Sequence, residues 1–207
     1  SFNLIDGVDG LAASIGLVAN LCFGLLFARI GLIPYALIAF AMAGAIAGFL
    51  KFNWYPAKIF MGDTGALIIG LVSATLAIKF IEENKFGGPV NPAYFSAPAI
   101  AVSILIVPIF DSLRVFTVRI LTGKSPFRGD RNHIHHRLEN LGLKANQVVW
   151  VMLAFNIIII AGALLLQHLG NFLLIFVLIG TCAIFNGVLT LSLWKKNKAK
   201  KVLEKVL

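Results

Sequence analysis

Two acidic clusters lie at the edges of long apolar runs: Asn3-Leu4-Ile5-Asp6-Gly7-Val8-Asp9-Gly10 and Phe60-Met61-Gly62-Asp63-Thr64-Gly65. A carboxylate beside a bilayer-length apolar run is costly and needs a ligand or a partner. Asp63 stands where a helix N-terminus is predicted, so it is open to two readings, a helix cap or a ligand for a hard metal ion. Mg²⁺ takes one or two carboxylates and otherwise keeps water or substrate phosphate, and a helix N-terminus also favours phosphate. Asp6 and Asp9 share a face if their segment is helical. Their alternative is a polar Asp-Gly turn ahead of a helix. A calcium loop does not fit, because the regular ligand spacing and the terminal Glu are absent. The Asn3 amide both donates and accepts, which suits a nucleobase edge or a sugar.

A third segment, Arg128-Gly129-Asp130-Arg131-Asn132-His133-Ile134-His135-His136-Arg137, holds three of the four histidines of the chain. Zinc is the less favoured reading, since no Cys accompanies them and the spacing matches no closed zinc site. An ordinary basic loop is the plainest reading. Arg and His together suit a diphosphate, because Arg offers paired donors to phosphate oxygens. If the segment is extended, His133 and His135 share a face; if it is helical, His133 pairs with His136. Asp111 and Arg114, three apart, read as a structural ion pair within a span. Acids able to hold a metal, opposite a cationic loop able to hold phosphate, point to phosphoryl chemistry at a membrane surface.

The elements that must position these groups are membrane helices. The 207 residues are 59% hydrophobic and only 13% charged, against about 25% charged in soluble domains, and mean hydropathy is +0.90. The apolar runs predict an all-α polytopic bundle with spans at Leu11–Ile30, Leu32–Leu50, Gly65–Ile81, Ala97–Arg119, Val148–Leu166 and Phe172–Trp194. The bundle is expected to occupy residues 1–194, with 195–207 as a basic tail that meets anionic headgroups. Pro98 and Pro108 predict kinks in the fourth span. Gly44 and Gly48 predict close helix packing inside the bundle, with a homodimer contact as the less favoured use. Cys22 and Cys182 read as small packing residues rather than a disulfide or a metal site.

The net charge of +9 does not point to nucleic acid, because its placement follows the positive-inside pattern. Only Arg29, Lys79 and Lys85 of the 18 Lys and Arg fall on one side of the predicted spans. The other side carries both acidic clusters, the histidine segment and the tail, and is predicted to be cytoplasmic. Trp54, Trp150 and Trp194 map to that interface as an aromatic belt. A transporter, in which intramembrane charges line an ion path, is disfavoured because the acids sit at span ends on one side only. An inactive scaffold is the remaining alternative.

In combination and in order, the three blocks resemble the polyprenyl-phosphate N-acetylhexosamine-1-phosphate transferases. They are Asn3 to Ala12, Phe60 to Gly65 and Asp130-Arg131-Asn132-His133-Ile134-His135-His136-Arg137-Leu138. The match runs from Ser1 to about Leu143. The peptidoglycan branch typically carries consecutive histidines after Pro-Phe. Here Pro126-Phe127 is followed by His-Ile-His-His at 133–136, which is similar to the branch that uses UDP-N-acetylglucosamine.

The resemblance implies a bacterial plasma-membrane enzyme with a cytoplasmic site. Its UDP-sugar donor would be UDP-N-acetylglucosamine, its lipid acceptor undecaprenyl phosphate, its cofactor Mg²⁺ with Mn²⁺ as substitute, and UMP would leave. The product would start cell-envelope polysaccharide or teichoic-acid linkage synthesis. On the same resemblance Asp63 is the metal ligand, and Asp6, Asp9, Asp63 and His133 are the catalytic set. Asn3 and Phe60 belong to the nucleotide-sugar pocket. Arg131, His133, His135 and His136 belong to the loop that closes on diphosphate and sugar. The family also has upstream helices and an adjacent Asp pair, which this sequence lacks. On that ground the chain is expected to be the C-terminal portion of such an enzyme.

Overall fold

The structure is a computed structural model, and it describes residues 1–85, 94–123, 125 and 132–206. Among these there is no strand. The helices run α1 (Phe2–Ile5), α2 (Leu11–Arg29), α3 (Ile33–Asn53), α4 (Gly62–Lys85), α5 (Ala97–Ile104), α6 (Ile106–Leu121), α7 (Ile134–Asn140), α8 (Ala145–Leu165) and α9 (Asn171–Val206), with a 3₁₀ turn at Gln167–Leu169. Five of them, α2, α3, α4, α8 and α9, are long and apolar enough to cross a bilayer, and the bent pair α5–α6 passes the same test when its two helices are taken together, as one broken span or a re-entrant loop. The chain is therefore an all-α, multi-pass membrane protein, as its composition predicts.

Helix α2 is the pillar of the bundle. It carries apolar residues all round and buries twelve of them or their small neighbours against α3, α4 and α8. A helix that is apolar all round belongs inside a bundle or in lipid. Phe23 and Phe27 of α2 meet Phe80 of α4 at ring separations of 6.4 and 6.1 Å. Asn20 Nδ2 donates to Ser73 Oγ at 3.1 Å and fastens α2 to α4 where no water reaches. Across α3, by contrast, Gly44 and Gly48 face open space, so the close packing expected of that pair does not occur among the described residues.

The fourth span departs from a simple kink. Pro98 lies in the first turn of α5, where a missing N–H costs nothing. Pro108 has the larger effect. It offers no N–H to the Ile104 carbonyl, and its ring crowds that carbonyl. The span breaks at Leu105 and turns by 77°. Asn156 of α8 sits buried beside the break, its Nδ2 at 3.4 and 3.5 Å from the carbonyls of Ser103 and Ile104. The last span also runs past Trp194, because the basic tail continues α9 as helix to Val206. Both cysteines are free.

Candidate functional site

The two acid loops are tied together before any ligand is considered. Gly10 opens α2 with φ +76°, a conformation that favours glycine. Its N–H donates to Asn53 Oδ1 at 3.1 Å. Asn53 Nδ2 in turn donates to the Ile59 carbonyl at 2.9 Å. Asp9 Oδ2 accepts the Ala57 N–H at 3.0 Å. One buried amide and one carboxylate thus fix the 1–10 loop to the 54–61 loop. Trp54 adds an edge contact to Trp150 of α8, ring to ring 5.7 Å. Sequence reasoning missed Asn53. Its one signal is an amide at the end of an otherwise apolar run.

Between the loops opens a cleft of about 360 Å³, lined by Asn3, Asp6, Gly7, Val8, Asp9, Asn53, Phe60, Met61, Gly62 and Asp63. Asp6 and Asp9 reach it from a turn, since α1 ends at Ile5 and the shared helical face is not formed. Helix α4 begins at Gly62, which places Asp63 inside the first turn. A carboxylate there faces the positive end of the helix. Phe60 stands at the rim, 81% exposed. Among the described residues, the lining holds three carboxylates and no Lys or Arg. Burial pushes the Asp6 pKa up to about 6, and the neighbouring charges of Asp63 and Asp9 add to the rise.

The histidine segment approaches from the other side. His133 adopts extended backbone and precedes α7. Its Nδ1 lies 2.8 Å from Asp111 Oδ2. Asp111 Oδ1 accepts the Ile134 N–H at 3.0 Å and an Arg114 Nη2 proton at 3.2 Å. Arg114 also donates to the Asn132 carbonyl. Three donors converge on one buried carboxylate, so Nδ1 of His133 is assigned as a donor to it. The expected Asp111–Arg114 pair is present, and the structure adds His133 to it.

His135 stacks on His133 at 5.6 Å and 10°, so the adjacent-face pairing of His133 with His136 is not formed. His135 is 1% exposed, with its ring against Gly7 of the acid loop. That position buries it instead of presenting it to a ligand. Burial lowers its pKa to about 3, with His136 adding to the fall, and so keeps it neutral. His136 is half-buried and pairs with Glu139 at 2.9 Å. Arg137 anchors α7 to α9 through Asn186 and through Thr190 at 2.6 Å. Arg131 lies outside the described residues.

No set of three His, Cys, Asp or Glu among the described residues is arranged to enclose a metal ion. A cleft lined by three carboxylates still suits a hard divalent cation, which needs one or two carboxylates and fills its other positions with water or phosphate.

A model of glycosyl transferase family 4 matches residues 1–81. A decaprenyl-phosphate N-acetylglucosaminephosphotransferase of Mycobacterium tuberculosis is 37% identical over 174 residues, covering 79% of this chain and 43% of that protein. An undecaprenyl-phosphate alpha-N-acetylglucosaminyl 1-phosphate transferase of Yersinia pestis is 31% identical, covering 88% and 51%. A phospho-N-acetylmuramoyl-pentapeptide-transferase of Clostridium beijerinckii is 35% identical, covering 76% and 44%. The chain spans about half the length of these relatives. With its three motif blocks converging on one end of an all-helical membrane bundle, the chain belongs to glycosyl transferase family 4, among the polyprenyl-phosphate hexosamine-1-phosphate transferases.

Proposed function

We propose that this chain carries the site that transfers N-acetylglucosamine 1-phosphate from UDP-N-acetylglucosamine to a polyprenyl phosphate, releasing UMP on the cytoplasmic face of the plasma membrane. The observation that supports it best is the cleft itself. Asn3, Asp6, Asp9, Phe60 and Asp63 come from two separate loops and line one cavity. The histidine helix leans on the wall of that cavity through Gly7.

In this reading an oxygen of the lipid phosphate attacks the sugar-linked phosphorus. A new P–O bond forms, the bond to UMP breaks, and UMP leaves with the electron pair. Such transfers need positioning and charge neutralisation more than covalent help. Asp63, with Asp6 beside it, would hold Mg²⁺ or Mn²⁺, which when bound neutralises charge on the diphosphate. The Asn3 amide and the Phe60 ring, both in the cleft lining, would take the nucleotide. His133 and Arg131 would serve the diphosphate and sugar. A membrane-edge cleft lets the acceptor keep its tail in lipid while the nucleotide enters from water.

The relatives include transferases of both N-acetylglucosamine phosphate and phospho-muramoyl-pentapeptide. The His-Ile-His-His order at 133–136 favours the first donor. The test is UMP release in membranes carrying this chain, with undecaprenyl phosphate and each UDP-sugar in turn. Release from UDP-N-acetylglucosamine alone supports the proposal. Release from the muramoyl-pentapeptide nucleotide alone moves it to the other branch.

A further inference from the structure

Gly7 and His135 meet at the seam between the acid loop and the histidine helix. One side of Gly7 lines the cleft. On the other, a Cβ built on it would stand 2.5 Å from His135 Nε2 and 3.3 Å from both Cδ2 and Cε1. Gly7 is not among the glycines with positive φ. Its backbone conformation therefore does not demand glycine; the space taken by the imidazole does.

That imidazole has little room to yield. It is 1% exposed, stacked on His133, and 4.2 Å from His136. Its Nε2 is buried without a hydrogen-bond partner. A buried, unsatisfied nitrogen is costly and needs a reason. Bulk packing does not supply one, because an apolar side chain would fill the seam without that cost. The neighbours do supply one. The His135 ring touches the acid loop on its edge and His133 on its face, and so lies between the two parts of the site.

We propose that His135 is a positioning residue that does not itself touch substrate: seated on the bare Cα of Gly7, it sets the height and rotation of His133 against the carboxylate cleft. This rests on the transfer reading above and assigns Gly7 a role as the seat. Asp111 fixes His133 from the side of α6, and His135 fixes it from the side of the acid loop.

A double-substitution cycle on the full chain in membranes tests it, using Gly7→Ala, His135→Ala and the pair. Steady-state UMP release and thermal unfolding in detergent are both read. Gly7→Ala is expected to lower kcat about tenfold, with KM for the UDP-sugar changed less than about threefold. His135→Ala is expected to do the same. The pair should be no worse than His135→Ala alone, because the methyl then has room. Losses that multiply would overturn the seam. So would a His135→Ala variant with raised KM and unchanged kcat, which would make His135 a substrate ligand. If neither the unsubstituted chain nor a version of it extended upstream releases UMP, the transfer reading fails by itself. The unfolding cycle then still decides the contact: non-additive shifts support it and additive shifts remove it.

Discussion

Asp111 and His133 are joined through Oδ2 and Nδ1 at 2.8 Å, from positions 22 residues apart in sequence. The same carboxylate takes the first N–H of α7 and a guanidinium proton of Arg114. It therefore sets the position of the helix and the orientation of the His133 ring at once. Because α6 is swung by 77° at Leu105, Asp111 is carried to where α7 starts. A straight fourth span would have put it elsewhere.

Asp111→Asn keeps the shape of the side chain and removes its charge. Turnover is expected to fall about 10- to 100-fold, as for other residues that orient a functional imidazole. The melting temperature should move far less than for Asp111→Ala. That variant leaves Arg114 buried without its carboxylate and should lose about 3–5 kcal/mol. Paired kinetics and unfolding curves check this. Matching losses in both variants would reduce Asp111 to a structural ion pair.

Much of this arrangement is legible in the sequence, because local chemistry carries it. Apolar runs of the right length fix the spans, and Asp6, Asp9 and Asp63 stand out because carboxylates at span ends are expensive. The rest depends on tertiary contact. Nothing local ties Asp111 to His133, or Gly7 to His135, since each partner lies on a different element. Asn53 looks unremarkable until its two backbone partners are seen. Pro108 shows that something must give in the fourth span, but Asn156, which meets the carbonyls at the break, comes from another helix. Gly44 and Gly48 mislead for the same reason: a small-residue pattern permits close packing but does not say which neighbour is present.

The burial of Asp6, with the carboxylates of Asp63 and Asp9 beside it, predicts an inverted pH effect. Folded Asp6 holds its proton to about pH 6, against an ordinary value of 3.8. Between those values the folded state binds more protons than the unfolded chain. The stability from this group is present in full below about 3.8 and is lost as pH rises through 6. Asp6→Asn should therefore stabilise the metal-free protein at pH 7 by about 1 kcal/mol, allowing for solvent screening in an open cleft. Its advantage should vanish near pH 4. A variant less stable than the parent at pH 7 contradicts the charge crowding described here.

Asn53→Ala removes the acceptor for Gly10 and the donor to Ile59 in one step. Leaving both backbone groups without partners should cost about 1–3 kcal/mol. The two acid loops should also drift apart, raising the Mg²⁺ needed for half-maximal UMP release about tenfold, in the range seen when groups supporting a metal site are removed. Thermal unfolding and a Mg²⁺ titration read the two effects. An unchanged Mg²⁺ midpoint would show that Asn53 fastens the loops without shaping the site.

The central claim is that phosphoryl transfer occurs at the carboxylate cleft. The most direct measurement is Mg²⁺-dependent UMP release from UDP-N-acetylglucosamine and undecaprenyl phosphate in membranes, comparing the chain with its Asp63→Asn variant. Asp63 is exposed at the first turn of α4, so the substitution should shift unfolding by no more than about 1 kcal/mol, the scale of a carboxylate at a helix N-terminus. Release by the parent and its loss in the variant at every Mg²⁺ concentration is the expected result. Equal turnover by both proteins would contradict the assignment of the cleft.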